Sequence, residues 1–269
     1  MKVLILSDLH LGNPVTKACG LLDGMARVAR NYDRIILNGD TLDRFENSEN
    51  ASRAERDLEQ VKSACTSRSG PPEIVTGNHD PAISAVDWIY IKECRTLIFH
   101  GDCIADVTHP SDDDERLLAN YLRIHWDKIG GRPKRFPELA TVYRRLQGEH
   151  LRLHPRYEGR TRLQYVTGLF HPIRKPFDIL RYVWNAPGRA AELAGAHDEH
   201  VDHVVVGHTH RAGTWTIGKR MVLNTGSFMP LSSPSAVVIE DGKPVRFPLA
   251  RLIRTHATTV HTAVSEPTN

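Results

Sequence analysis

The sequence predicts an α/β fold in which a mainly parallel sheet is covered by helices and interrupted by a helical insertion. Three observations predict it. Short apolar runs alternate with helical patterns over the first hundred residues. A small polar cluster follows one strand pattern after another. From Ser111 to about Ala196 the chain reads as helices broken by Pro and Gly, and strands then return.

Each element has its own signal. Val3–Leu6 is a short buried-strand run, and Lys17–Arg30 carries apolar residues at helical spacing. Arg34–Leu37 is a second strand, and the polar stretch Ala51–Ala64 is helical. Glu73–Thr76 and Thr96–Phe99 are the next strands, and Val201–Val206 resumes the pattern after the insertion. Two hairpins follow. Thr214–Ile217 and Met221–Asn224 flank Gly218-Lys219, while Ala236–Ile239 and Val245–Phe247 flank Asp241-Gly242, a strong turn signal. This organisation gives a core of residues 1–102 and 201–254, an insertion over 103–200 and a flexible, Thr- and His-rich tail over 255–269.

Composition narrows the class. The chain has 269 residues, of which 40% are hydrophobic and 25% charged, so it can bury a full core without disulfide staples. Its four cysteines, Cys19, Cys65, Cys94 and Cys103, form no CxxC pair, which argues for reduced thiols in a cytosolic protein. The apolar run at the N-terminus is too short for a signal-peptide core, and no stretch approaches the ~20 apolar residues that span a bilayer. A soluble protein is expected. The net charge of +3 is too small to imply nucleic-acid binding, and the unusual count is 15 histidines against 7 Tyr, 7 Phe and 4 Trp.

Five of those histidines lie in the clusters after strands: Asp8-Leu9-His10, Gly39-Asp40, Gly77-Asn78-His79-Asp80, His100-Gly101-Asp102 and Gly207-His208-Thr209-His210. In open α/β sheets sites form beyond the carboxyl ends of strands, so clusters far apart in sequence can converge there. Carboxylates, imidazoles and an amide carbonyl without thiolate make a metal-binding donor set that suits Mn²⁺ first, with Fe or Zn²⁺ as alternatives. Two metals ~3.5–4 Å apart clamp a phosphoryl group and generate hydroxide at neutral pH, and a carboxylate can bridge them.

The ordered series DxH, GD, GNHD, H and GHTH resembles the calcineurin-like metallophosphoesterases over residues 1–102 and 201–250. That resemblance implies a four-layer α/β/β/α sandwich with a helical cap insertion. It implies that Asp8, His10, Asp40 and His210 hold one metal. Asp40, Asn78, His100 and His208 would hold the other, with Asp40 bridging. His79 would bind phosphate or protonate the leaving oxygen, and Asp80 would orient His79. Asp102 is open to two readings, a partner that fixes His100 or a turn cap. Asp43 and Arg44 either line the site or start the next helix. The other histidines read as surface or structural.

Substrate choice must come from the insertion. Between Arg116 and Arg189 it has 16 Lys+Arg against 5 Asp+Glu, a concentrated cationic surface in a nearly balanced chain. Arginine dominates and holds phosphate bidentately, so Arg44, Arg123, Arg132 and Arg135 are candidate substrate-binding residues. The stretch Phe170–Trp184 (FHPIRKPFDILRYVW) sets basic residues beside large apolar ones, which suits a membrane-surface contact, a lipid-lined groove or an ordinary helix pair. A helical insertion at this place, with SDLHLG, HGD and GHTH, also resembles the UDP-2,3-diacylglucosamine pyrophosphohydrolases. That resemblance implies a phosphorylated or lipid-linked substrate and a cytoplasmic protein at the inner face of a membrane. His79 departs from that branch, which has Arg at this place, and follows the general phosphoesterase pattern. The expected activity is dimetal-dependent hydrolysis of a phosphoester or pyrophosphate bond. The competing readings are a soluble nucleotide phosphodiesterase, a phosphatase of phosphoproteins or small molecules, a metal-bound scaffold and a nuclease.

Overall fold

The computed structural model of the chain describes residues 1–43, 48–104, 113–154, 161–168 and 175–255. Arg44, His109, Arg156, Arg160, His171, residues 170–174 of the basic–aromatic stretch and residues 256–269 of the tail lie outside the described residues.

Two five-stranded sheets pack face to face. The first is built from β1 (Val3–Leu6), β2 (Arg34–Asn38), β3 (Glu73–Val75), β9 (Ser235–Glu240) and β10 (Lys243–Pro248), in the order β10-β9-β1-β2-β3. The second uses β4 (Trp88–Ile91), β5 (Thr96–Phe99), β6 (His203–Val206), β7 (Gly213–Ile217) and β8 (Arg220–Asn224), in the order β4-β5-β6-β8-β7. Strands β1, β2 and β3 are parallel, as are β5, β6 and β8. Antiparallel strands complete both sheets, so the expected mainly parallel sheet is in fact a pair of mixed sheets.

The alternation of side chains across each strand explains the layering. Val3 and Ile5 of β1 meet Ile98, Val205 and Leu223 of the other sheet in a core between the sheets. Leu4 and Leu6 point the opposite way, into a second core with Met25 and Val28 of α1 (Leu22–Ala29) and Ala54 and Val61 of α2 (Ser48–Ala64). A strand buried on both faces must be apolar throughout, which is why these runs show no polar alternation. The outer face of the second sheet is covered by α4 (Phe136–Leu153) and by Ala190, Ala191 and Ala194 of α6 (Lys175–His197). Helices, sheet, sheet and helices give the α/β/β/α sandwich.

The insertion contributes α3 (Asp113–Lys128), α4, α5 (Arg162–Gly168) and α6. Pro187 lies inside α6, where it removes one helical hydrogen bond. The half of α6 after Pro187 packs on the sheet. The half before it carries Phe177, Leu180 and Trp184, which are 72%, 66% and 76% exposed. No described helix is long and apolar enough to cross a membrane. All four cysteines are free.

Candidate metal and catalytic site

Strands β1, β2, β3, β5 and β6 all deliver their polar clusters at their carboxyl ends, and the two sheets face each other there. The backbone turns sharply to do it. Asp8, His10, Asp40, His208 and His210 have φ of 55°, 50°, 48°, 65° and 56°, a left-handed conformation rare outside glycine but tolerated best by Asp, Asn and His. Gly39, with φ +82°, brings β2 against His100 so closely that a Cβ there would lie 2.4 Å from the imidazole ring. Hydrogen bonds between the loops hold them in register: Asp8 N–H to Gly39 O, His10 N–H to Asp40 O and Gly207 N–H to His100 O.

The seven expected ligands come together. Asp8, His10 and His210 form one group whose ligand atoms lie within 4.8 Å of one another, and Asp40, His100 and His208 form a second. The Nε2 atoms of His10 and His210 face each other at 3.1 Å, with Asp8 Oδ1 3.3 Å from His210 Nε2. Asn78 Oδ1 lies 3.2 Å from His100 Nε2 and 2.9 Å from His208 Nδ1. Asp40 Oδ2 is 3.2 Å from His100 Nε2 and 3.9 Å from His10 Nε2, so one carboxylate reaches both groups.

The donor chemistry fits divalent cations. Asp8, His10, Asp40 and His100 are buried to within 1% of full enclosure, and buried carboxylates need a nearby positive charge. In the metal-free protein the imidazoles supply it. Burial alone would lower the His10 pKa, but the carboxylates of Asp43, Asp40 and Asp8 raise it to about 9. Burial likewise opposes protonation of His100, and Asp40 more than offsets it, so its pKa stands well above the usual value. His208 goes the other way, down to about 3, through burial and the His100 charge. Tautomers also suit ligation. His100 Nδ1 donates to the Asn38 carbonyl oxygen at 3.0 Å, and His10 Nδ1 donates to Asp43 Oδ1 at 2.9 Å. Each leaves Nε2 with its lone pair toward the cluster. The acceptor on His100 Nδ1 is thus the Asn38 carbonyl rather than Asp102, which sits in the short 3-10 turn Asp102–Ile104.

His79 stands at the edge of this cluster, its side chain one-quarter exposed. Its Nδ1 donates to Asp43 Oδ1 at 2.5 Å, and its Nε2 lies 3.9 Å from Asp40 Oδ2. Asp80 was expected to orient that ring, and here the structure corrects the sequence. Asp80 is fully buried and accepts backbone N–H groups from Asp40, Thr41, Leu42 and Gly77 at 3.2, 2.7, 3.0 and 2.9 Å. Neighbouring side chains diverge, so Asp80 ties the β2 and β3 loops together while Asp43 takes the His79 ring. Burial would raise the Asp43 carboxyl, but the charges of His79 and His10 hold it well below the usual carboxylate range. His10, Asp43 and His79 form a third group of converging ligand atoms.

Three of the candidate substrate arginines lie among the described residues. Arg132 Nη2 donates to the Cys103 carbonyl at 2.6 Å, and Arg135 pairs with Glu138 one turn along its own helix at 3.2 Å. Arg123 is exposed on α3. Among the described residues no hydrogen bond or ion pair joins Arg123, Arg132 or Arg135 to the cluster. Arg44 is outside the described residues. Sequence reasoning missed Tyr182 of α6, whose ring stands edge-on to His208 with centroids 6.0 Å apart and whose enclosed hydroxyl has no partner among the described residues. It also missed Ser7, which hydrogen-bonds Asp8 and Thr225.

Comparison with known proteins identifies the family. The family model described as calcineurin-like phosphoesterase matches residues 1–212. No curated protein matches the chain. Among solved structures the chain is similar to wild-type Vps29 complexed with Zn²⁺ from Entamoeba histolytica, with 15% identity, 93% of this chain and 99% of that one covered and a TM-score of 0.38. It is also similar to the phosphoesterase Yfce from E. coli, with 11% identity, 93% and 100% covered and a TM-score of 0.39. A third is Vps29 from Cryptosporidium parvum, with 12% identity, 91% and 95% covered and a TM-score of 0.39. With its Asp and His clusters at the strand ends, the chain belongs to the calcineurin-like phosphoesterase family and is a metal-dependent hydrolase.

Proposed function

We propose that the protein hydrolyses a phosphoester or phosphoanhydride bond in an amphipathic substrate held between the metal cluster and the cap, with a UDP-sugar lipid as the specific candidate. The observation that carries the chemistry is the convergence of seven O and N donors in two groups that share Asp40. Asp8, His10, Asp40 and His210 would hold one divalent cation and Asp40, Asn78, His100 and His208 the other, with Mn²⁺ the ion in this reading. Two such ions polarise the phosphoryl group and supply the nucleophile at neutral pH. His79 gives its Nε2 proton to the leaving oxygen, and Asp43 on Nδ1 stabilises the ring while it carries that proton.

The amphipathic part of the reading rests on α6. Phe177, Leu180 and Trp184 recur at helical spacing on an exposed ridge, next to the exposed Arg181. A ridge of this kind suits an acyl chain or the headgroup region of a membrane, and the protein is then a peripheral one on a cytoplasmic membrane face.

The test uses protein stripped of metal and reloaded with Mn²⁺. Hydrolysis of bis(p-nitrophenyl) phosphate that depends on Mn²⁺ and disappears in Asp40→Ala is expected. Hydrolysis of a UDP-linked lipid in mixed micelles should exceed that of its deacylated counterpart. Equal rates on the two would reject the lipid and leave a soluble nucleotide phosphodiesterase. A fully metal-loaded protein inert on every phosphoester would overturn the activity itself.

A further inference from the structure

Arg211 directly follows the ligand His210, and its guanidinium lies over two indoles. Its central carbon is 5.7 Å from the Trp184 ring centroid and 5.3 Å from that of Trp215. Trp184 comes from α6 and Trp215 from β7, so the stack spans the seam between insertion and core. The local sequence is arranged for it. Trp215 folds back along its strand over Gly213, where a Cβ would meet the indole at 2.3 Å. Any larger residue at 213 would push the ring off. On the same helix Tyr182 packs edge-on to the ligand His208.

A cation over an aromatic ring is held by the ring's charge distribution and not through hydrogen bonds, so the guanidinium keeps its five N–H donors in a rigid fork. Among the described residues Arg211 makes no hydrogen bond and no ion pair. Three arginines of the insertion are committed, Arg132 to Cys103, Arg144 to Asp87 and Arg135 to Glu138. Arg211 is therefore held against two aromatic rings, one residue along the chain from a metal ligand, with its donors unspent. Preorganised in this way, it binds an anion with little further loss of side-chain freedom.

We infer that Arg211 is a specificity-determining residue that binds a second anionic group of the substrate, the phosphate next to the scissile one in a phosphoanhydride. Metal held by the Asp and His cluster would neutralise the phosphoryl group that reacts. A neighbouring phosphate brings further negative charge to the seam, and the Arg211 fork matches two of its oxygens. This inference rests on the proposed phosphoesterase reading and adds to it the residue that selects a diphosphate over a single phosphate.

Binding calorimetry on Mn²⁺-loaded protein tests it, with inorganic pyrophosphate and inorganic phosphate as probes. The wild type should bind pyrophosphate more tightly than phosphate. In Arg211→Ala that preference should shrink tenfold or more, and Arg211→Lys, a point charge without the fork, should fall between the two. Arg211→Gln, similar in length and uncharged, serves in place of Ala if the latter gives no cooperative melt. An unchanged pyrophosphate-to-phosphate affinity ratio in the Ala or Gln variant overturns the inference. The binding result is independent of turnover. A protein that binds pyrophosphate through Arg211 yet hydrolyses no phosphoester would sink the proposed function and leave this site standing.

Discussion

Replacing Asp43 by Ala tests whether His79 works as a general acid. The Asp43 carboxylate accepts from His79 Nδ1 at 2.5 Å, from His10 Nδ1 at 2.9 Å and from the Asn13 amide at 2.6 Å. A hydrogen bond to a charged group is worth about 1.5–3 kcal/mol. Losing that much stabilisation of the protonated His79 ring slows the step it assists by ~10- to 200-fold, at about 1.36 kcal/mol per tenfold. Asp43 also touches the metal ligand His10, and loss of such a support weakens metal affinity by ~10–100-fold. Two choices separate the effects. Rates are measured at saturating Mn²⁺ with metal content checked, and over a series of phosphodiesters with leaving groups from p-nitrophenolate to unactivated alcohols. p-Nitrophenolate departs without a proton, so its rate should change little. Poor leaving groups should show the full loss, and His79→Asn should show the same pattern. A loss of equal size across the whole series would refute the acid role and place the function of Asp43 at His10.

Four further outcomes are expected. Asp40→Ala should fall from about two bound metals per chain to one or none by elemental analysis, because its carboxylate reaches both groups. Asp80→Ala orphans the N–H groups of Thr41, Leu42 and Gly77 at about 1–3 kcal/mol each, and at ~2–4 °C per kcal/mol a Tm loss of at least ~6 °C should appear in a thermal melt. The raised His10 pKa, about 9 against 6.5, gives the metal-free protein stability that is full below pH 6.5 and fades as pH climbs through 9. Its Tm should therefore drop between pH 7 and 9, and Mn²⁺-loaded protein, with neutral imidazole ligands, should not follow. Phe177→Ser with Leu180→Ser, both at exposed positions, should leave Tm within about 1 °C yet reduce co-sedimentation with anionic lipid vesicles.

The parts of the fold legible in the sequence were those written locally. Val3–Leu6, Ile35–Leu37 and Val204–Val206 are continuous apolar runs, and each leads into a Gly- or His-bearing turn, so strand and ligand were read together. Pairing was not legible, because it joins distant segments: Val3 sits opposite Arg34 on one side and Ile239 on the other. Edge strand β4 escaped because Trp88, Ile89 and Tyr90 are only partly buried and follow no turn signal. At the site, residue type identified the ligands, while second partners depended on geometry no spacing reveals. Asp80 neighbours His79 in sequence and serves the backbone. Asp43, three residues beyond Asp40, looked equally like the start of a helix and holds two imidazoles. The insertion's arginines were alike on paper, and only their acceptors in the fold distinguish Arg132 and Arg135 from the exposed Arg123.

Five of the seven ligands occupy left-handed backbone, a conformation that costs an ordinary residue roughly 1–2 kcal/mol. Summed over five positions this is on the order of the whole net stability of a typical domain, about 5–15 kcal/mol. Burial of Asp8 and Asp40 adds to the load. What holds these residues in place is the interlocking of loops from both sheets: Asp8 and Gly39, His10 and Asp40, His208 and Asp8, Asp80 and the β2 loop. No single loop would keep such a conformation by itself. The two-sheet sandwich is therefore part of the chemistry, since only strands that end at one level can brace one another's turns. Cations bound to the native cluster and not to the unfolded chain would add RT ln(1 + [L]/Kd), about 2.7 kcal/mol per site at a hundred times Kd, which offsets much of that strain. The metal that the reaction needs would thus add its own bracing to a strained, charge-dense site that the interlocked loops already hold.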